Sequence, residues 1–336
     1  MSGSVFLLSM GGTISAALGE RGYSPMPEAD PSRLVGSPLR GVDDVKVESI
    51  ENTLSFSVSF SSVRRLVSRI DELAGDAGVV GFVVAHGTAA LEEVAYLCDF
   101  TVKTGKPVVF TGATYHASDT GSDGPHNIAD ALRTAASSEA RDMGVLVCFA
   151  GELHAAREVV KLHRYSPAPF VSSLGPLGWV NAAGVRIERV PRARASLAFP
   201  AEPVPWVPVI PAVIDDDGRL MAAAVERGAA GLVVEGFPGG GGVPPAMLTV
   251  CERAIDMGIP IVVASRAPLG PMIRMAAGDS GPAVLAQKGL VGAGDLTAAK
   301  ARLLVIAAIA NGCDRGGVES LFHSVVPGAV WSEGER

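Results

Sequence analysis

Cysteine is scarce in this chain. Its four cysteines in 336 residues, Cys98, Cys148, Cys251 and Cys313, lie far apart in apolar segments, with no CxxC and no histidine cluster at ligand spacing. That argues against a zinc centre or a disulfide framework, and the thiols read as buried and free. A basic block is also missing: 28 basic residues stand against 35 acidic ones, for a net charge of -7, so no nucleic-acid partner is expected. Long hydrophobic runs are absent too. The strongest, at 303–310, falls well short of the ~20 residues needed to span a bilayer, so no membrane partner is expected. Met1-Ser2-Gly3-Ser4 passes into a strand without a charged region and signal-peptide core, which leads to the expectation of a cytoplasmic protein. No GxGxxG or Gly-Lys-Ser/Thr accompanies the glycines at 239–242, which read as a flexible connection. His86, His126 and His154 have no ligand-spaced partner and read as structural. Neither a cofactor nor a metal is expected.

What the chain does contain is enough apolar residue, 48%, to bury a large core in about two domains. Short β-rich runs alternate with helix-period segments, the pattern of parallel βα units in an α/β fold. Strands are expected at 5–8, 79–85, 106–110 and 144–150, with helices following at 91–98 and 127–140. The stretch 186–212 contains Arg186, Arg189, Arg192 and Arg194, then Pro200, Pro203, Pro205, Pro208 and Pro211, too many prolines for a helix interior. It divides the chain into a domain at 1–190, a linker at 191–206 and a smaller α/β domain at 207–336. The latter repeats the pattern, with strands at 207–214, 231–236 and 260–265 and helices at 219–228, 245–257, 297–311 and 316–325.

Two threonines end apolar strands. Thr13 closes Ser9-Met10-Gly11-Gly12-Thr13-Ile14, and Thr88 lies in His86-Gly87-Thr88-Ala89-Ala90. Hydroxyls delivered to the ends of buried strands meet a crevice where polar groups converge on a ligand. A threonine hydroxyl is a weak nucleophile and needs a base or a proton relay, and a desolvated lysine can supply one. Plainer readings stand beside this. Gly-Gly-Thr after a strand also makes a turn, Thr88 could cap the next helix, Tyr23 could cover an apolar patch, and Lys161 could be a solvated lysine.

Met10-Gly11-Gly12-Thr13-Ile14, His86-Gly87-Thr88 with Glu92-Glu93 and Ala95-Tyr96, Lys106-Pro107-Val108-Val109, Ser122-Asp123-Gly124-Pro125-His126-Asn127, Ala155-Ala156-Arg157 with Lys161, Gly175-Pro176-Leu177-Gly178 and Lys300-Ala301-Arg302 occur in one order along nearly the whole chain. That ordered set resembles the bacterial asparaginase/glutaminase family. The resemblance implies a larger N-terminal α/β domain with a mixed sheet and a smaller, flavodoxin-like C-terminal domain. It also implies hydrolysis of a small-molecule amide and self-association as a homodimer or homotetramer. By the same resemblance Thr13 attacks the carboxamide carbon, Tyr23 on a mobile lid helps to activate it, and Thr88 and Lys161 complete a proton relay. Gly12, Ser55, Phe56, Gly87, Ala89 and Ala113 are expected to line the substrate site.

The chain departs from the family pattern beside the second threonine. His-Gly-Thr-Asp-Thr becomes His86-Gly87-Thr88-Ala89-Ala90, and the polar residue usual after the substrate serine becomes Phe56. In the family the missing aspartate receives the substrate's α-ammonium. A buried ammonium without its carboxylate costs about 3–5 kcal/mol, or roughly two to three orders of magnitude in binding. The expectation is therefore an amidohydrolase with a more apolar pocket, acting on a less polar or N-substituted amide rather than on free asparagine. Two alternatives remain: an ordinary asparaginase whose acid comes from elsewhere, for example Glu92, and a non-catalytic descendant that only binds a ligand.

Overall fold

The computed structural model describes residues 3–12, 16–19, 22–25, 42, 44–116, 118–192, 194–274 and 278–326, the segments 16–19 and 22–25 by backbone alone. The chain separates into two compact units, Met1–Arg194 and Ala195–Arg336.

The first unit is built on an eight-stranded sheet. Its strands are β1 (Ser4–Gly11), β4 (Asp44–Thr53), β5 (Val79–Ala85), β6 (Val108–Thr111), β7 (Val145–Phe149), β8 (Glu152–Ala155), β11 (Gly178–Asn181) and β12 (Gly184–Ile187), in the order β12-β11-β8-β7-β6-β5-β1-β4. From β4 through β7 the pairing is parallel, and β8, β11 and β12 continue it antiparallel. Parallel strands are covered on both faces, which is why Val5, Leu7 and Leu8 and then Phe82, Val83 and Val84 are fully enclosed. Two small hairpins, β2 (Ala16–Gly19) with β3 (Gly22–Pro25) and β9 (Val159–Lys161) with β10 (Phe170–Ser172), complete the unit.

Three helices cover this sheet: α1 (Phe60–Ala74), α2 (Leu91–Thr101) and α3 (Gly124–Ala136). Helix α1 begins at Ser59, whose side chain accepts from the Ser62 N–H, and buries Val63, Leu66, Val67 and Ile70 at helical spacing. Ile128, Ala131, Leu132 and Ala135 of α3 pack with Val5, Val83, Val109 and Leu146 of the sheet in one core cluster. Helix α3 starts three residues earlier than its apolar period predicts, because Pro125 fits the first turn, where its missing N–H costs nothing. It ends at Ala136, and a separate 3-10 turn occupies Ser138–Ala140. Arg186 and Ile187, expected at the start of the irregular stretch, belong to β12, with Arg186 opposite Trp179.

The second unit carries a four-stranded parallel sheet of β13 (Val209–Pro211), β14 (Leu232–Gly236), β15 (Ile261–Ser265) and β16 (Val291–Gly292) in sequential order. Helices α4 (Arg219–Glu226), α5 (Pro245–Asp256), α6 (Pro282–Gln287), α7 (Ala298–Ala310) and α8 (Arg315–Val325) accompany it. The glycine stretch at 239–242 is closed on itself: the Phe237 N–H donates to the Gly242 carbonyl and the Gly241 N–H to the Phe237 carbonyl. A Cβ on Gly236 would stand 2.1 Å from the Gly241 oxygen, so this turn is a close backbone packing rather than the loose connection expected. Cys98, Cys148 and Cys251 are buried and free, whereas Cys313 is free but half-buried.

Candidate active site

Strands β1, β4 and β5 are neighbours, so the chain leaving each of them arrives at one edge of the sheet. Gly11 and Gly12 end β1 with φ of +84° and +91°, a conformation that excludes most side chains. Gly12 then lies directly on the loop after β5: a Cβ there would come within 2.3 Å of the Gly87 Cα. A Cβ on Gly87 would in turn stand 2.7 Å from Ser55 Oγ. Ser55 opens the 3-10 turn Ser55–Ser57 that follows β4, and it is buried. Three strand ends thus bring Gly12, Ser55 and Gly87 side by side, from positions far apart in the chain. Thr13, the next residue after Gly12, lies outside the described residues. Tyr23 lies in β3, opposite Leu18, and its side chain is also outside the description.

Thr88 is buried and does not cap α2. The N-cap is Ala90, which has no side-chain capping bond, and Lys161 Nζ instead donates to Thr88 Oγ1 at 2.7 Å. Lys161 ends β9, and its backbone N–H donates to the Glu92 carboxylate in the first turn of α2. Partial burial pushes the Lys161 pKa below the usual ammonium range, while the Glu92 charge opposes the fall. Strand β9 is therefore fixed to α2 at the residue whose side chain meets Thr88. This contact removes the solvated-lysine reading.

A second layer holds the loops in place. A Cβ on Gly112 would stand 2.4 Å from the His86 carbonyl and 3.3 Å from Thr88 Cγ2, and the neighbouring Ala113 is buried. Asn127 donates to the Gly112 carbonyl at 3.0 Å and accepts from the Ala150 N–H at 3.1 Å. Asp123 accepts from the N–H groups of Thr114 and Tyr115. His86 is wholly enclosed; its Nδ1–H donates to the Gly87 carbonyl at 2.8 Å, and burial lowers its pKa to about 4, so it stays neutral. His154 Nδ1 is 3.0 Å from Ser172 Oγ, and His126 stands 3.2 Å from Asp130.

Thr88 and Lys161 open onto a cleft of about 520 Å³, lined also by Thr114, His116, Leu162, His163, Arg164 and Tyr165. This differs from the more apolar pocket expected. Phe56 is 75% exposed and Ala89 is exposed as well, and neither is among the described residues lining the cleft. Basic side chains dominate instead. The sequence reading missed His116, His163, Arg164 and Tyr165, although the His-Arg-Tyr run two residues beyond Lys161 was a usable signal. Among the described residues no group of three His, Cys, Asp or Glu side chains could hold a metal ion, and no helix is long and apolar enough to cross a membrane.

Residues 4–193 match the family model described as Asparaginase, N-terminal, and residues 206–322 match the Glutaminase/Asparaginase C-terminal domain. The protein named "Probable L-asparaginase" of Deinococcus radiodurans is 32% identical, over 94% of this chain and 96% of its own length. The L-asparaginase of Bacillus licheniformis is 30% identical, over 93% of this chain and 97% of its own. The crystal structure of a "Probable Cytoplasmic L-asparaginase" from Campylobacter jejuni superposes with a TM-score of 0.84 at 28% identity, covering 96% of this chain and 99% of that one.

Proposed function

Since this chain belongs to the asparaginase/glutaminase family of amidohydrolases, we propose that it cleaves a carboxamide whose acyl portion lacks a free α-ammonium, and that free L-asparagine is a poor substrate. The observation that carries this reading is the 2.7 Å bond between Lys161 and Thr88, intact one residue before an alanine that cannot hold a cation.

In the proposed reaction Thr13 Oγ attacks the carboxamide carbon and its proton leaves through the relay of Tyr23, Thr88 and Lys161. Burial lowers the Lys161 pKa, which favours the free amine as the group that receives the proton from Thr88 Oγ1. Backbone N–H groups of the turn after β5 stabilise the oxyanion, and the close packing of Gly12 on Gly87 keeps that turn rigid. The C–N bond then breaks, the relay proton departs with ammonia, and water releases the acid from Thr13. The remaining line of the site, Ser55, Gly12, Gly87 and Ala113, faces the acyl portion in this reading.

A second reading, an ordinary L-asparaginase, is favoured by the names of the two relatives. Glu92 would supply the acid in that case, but its carboxylate is already engaged by the Lys161 backbone. Ammonia release from L-asparagine, L-glutamine and Nα-acylated asparagines, with wild type and Thr13→Ala, separates the two. We expect kcat/KM for the acylated amides to exceed that for asparagine by at least tenfold; the reverse order would sink the altered-substrate reading. Self-association to a dimer or tetramer and a cytoplasmic location belong to the same proposal, supported by family membership and by four free cysteines. Light scattering of the purified protein tests the first.

A further inference from the structure

His86 is fully enclosed beside the site, and the reaction described above gives it no task. Its backbone is clamped at the end of β5: the His86 N–H donates to the Thr111 carbonyl at 2.9 Å, and a Cβ on Gly112 would stand 2.4 Å from the His86 oxygen. The imidazole packs beside Phe110, with 6.2 Å between ring centroids. Its two nitrogens differ. Nδ1 lies 2.8 Å from the Gly87 carbonyl, which can only accept, so Nδ1 carries the proton. Burial lowers the pKa to about 4, which leaves Nε2 an unprotonated acceptor, and it has no partner among the described residues. Hydrogen bonding by this side chain is thus confined to the Gly87 carbonyl.

That bond falls where the chain has most freedom. Gly87 lacks a side chain because Gly12 and Ser55 stand against it, and glycine lets the peptide between it and Thr88 rotate. In a planar trans peptide the C=O and the N–H point to opposite sides. With the Gly87 carbonyl turned to the enclosed imidazole, the Thr88 N–H points away from it. Thr88 is buried, yet that N–H has no acceptor among the described residues. Leaving a buried donor unpaired is costly, so its presence on the residue that also meets Lys161 points to a ligand oxygen.

We propose that His86 is a positioning residue of the reaction: its bond to the Gly87 carbonyl turns the next peptide so that the Thr88 N–H donates to the carboxamide oxygen as it becomes an oxyanion. This rests on the amidohydrolase reading and names the residue that aims its oxyanion donor. A donor oriented beforehand stabilises the developing charge without reorganising at that moment, so the imidazole bears on the rate more than on substrate binding.

The test compares His86→Asn, whose side-chain amide places a donor where Nδ1 has one, with His86→Leu, which keeps the bulk and has no donor. Ammonia release is measured from L-asparagine, L-glutamine and Nα-acetyl-L-asparagine. In His86→Leu kcat is expected to fall about tenfold to a hundredfold, with KM within about threefold of wild type, because the N–H remains but is no longer aimed. His86→Asn leaves more empty space in the core, so it should melt at a lower temperature than His86→Leu, yet keep kcat about fivefold or more above it. A histidine that only fills space predicts the reverse, with activity following stability. His86→Gln, whose amide lies one carbon further out, takes the place of His86→Leu if the latter does not fold, with the same loss expected. Equal kcat in wild type and His86→Leu, or kcat that follows melting temperature across the variants, overturns the proposal while the amidohydrolase reading stands. Crystal structures of the variants make the outcome independent of turnover: the Gly87 carbonyl should keep its direction in His86→Asn and turn in His86→Leu. If wild type cleaves none of the amides, the amidohydrolase reading fails and takes the oxyanion with it, whereas a peptide that turns in His86→Leu alone still assigns its direction to His86. A Gly87 carbonyl that keeps its direction in His86→Leu overturns the positioning role outright.

Discussion

Ala89 and Glu92 lie on either side of the residue that caps α2, and each bears on a different property of the site. A carboxylate at position 89 would stand one residue from Thr88 and offer a partner to a substrate ammonium. Ala89→Asp is therefore expected to raise kcat/KM for L-asparagine by about two to three orders of magnitude, the range for supplying a missing partner to a desolvated charge. Steady-state ammonia release checks it, and an unchanged value means that position 89 does not set specificity. Glu92 acts on the relay itself. Its charge raises a Lys161 pKa that burial lowers. If the deprotonated amine is the base, activity rises with pH through the Lys161 pKa. Glu92→Gln keeps an acceptor for the Lys161 N–H but removes the charge, so the acidic limb of the kcat/KM profile should move to lower pH. A limb that moves up, or stays in place, assigns it to another group.

Where elements meet, the site depends on backbone contact that leaves no space for a side chain. Gly87→Ala would place a Cβ 2.7 Å from Ser55 Oγ and 3.1 Å from the Gly12 Cα. Overpacking of this kind costs about 1–3 kcal/mol, and urea denaturation should register a loss in that range. A similar loss is expected at the start of α3. Asn127→Ala leaves the buried Gly112 carbonyl without its side-chain donor, at about 1–3 kcal/mol, while the Ala150 N–H, at an exposed residue, can turn to water. The element scale is also where sequence and structure part most clearly. The motif Gly11-Gly12-Thr13 and the strand before it were legible, because an apolar run and paired glycines are local signals. The approach of Gly12 to Gly87, and of Ser55 to both, was not, since it follows from the order β5-β1-β4 and no local pattern encodes strand order. Lys161 was legible only through the family resemblance. It sits in a three-residue strand, too short for any period to show.

At the scale of the whole molecule, the α/β class and the parallel strands follow from apolar runs alternating with helical stripes, whereas the mixed sheet was expected only through the family resemblance, and the antiparallel strands β8, β11 and β12 that make it mixed were not placed. Each of the three is four residues long and carries polar residues such as Glu152, Asn181 and Arg186, so their pattern resembles loop. The basic rim was missed for a related reason: Leu162, His163, Arg164 and Tyr165 read as an ordinary polar segment until the loop between β9 and β10 faces the same cleft as Thr88. The cysteines, by contrast, were nearly all readable from their apolar surroundings, and they provide a test that spans both units. Cys98 and Cys148 lie in the first unit and Cys251 and Cys313 in the second, none of them in a disulfide. Burial pushes the thiols of Cys98, Cys148 and Cys251 upward in pKa, so they are neither accessible nor ionised at neutral pH. The thiolate is the species that reacts with an alkylating reagent. Iodoacetamide applied to the native protein near neutral pH is thus expected to label Cys313 alone, and to label all four cysteines in denaturant without prior reduction. Mass spectrometry of the intact chain counts the adducts. More than one adduct on the native protein would mean that the core around at least one buried cysteine opens, and fewer than four in denaturant would reveal a disulfide.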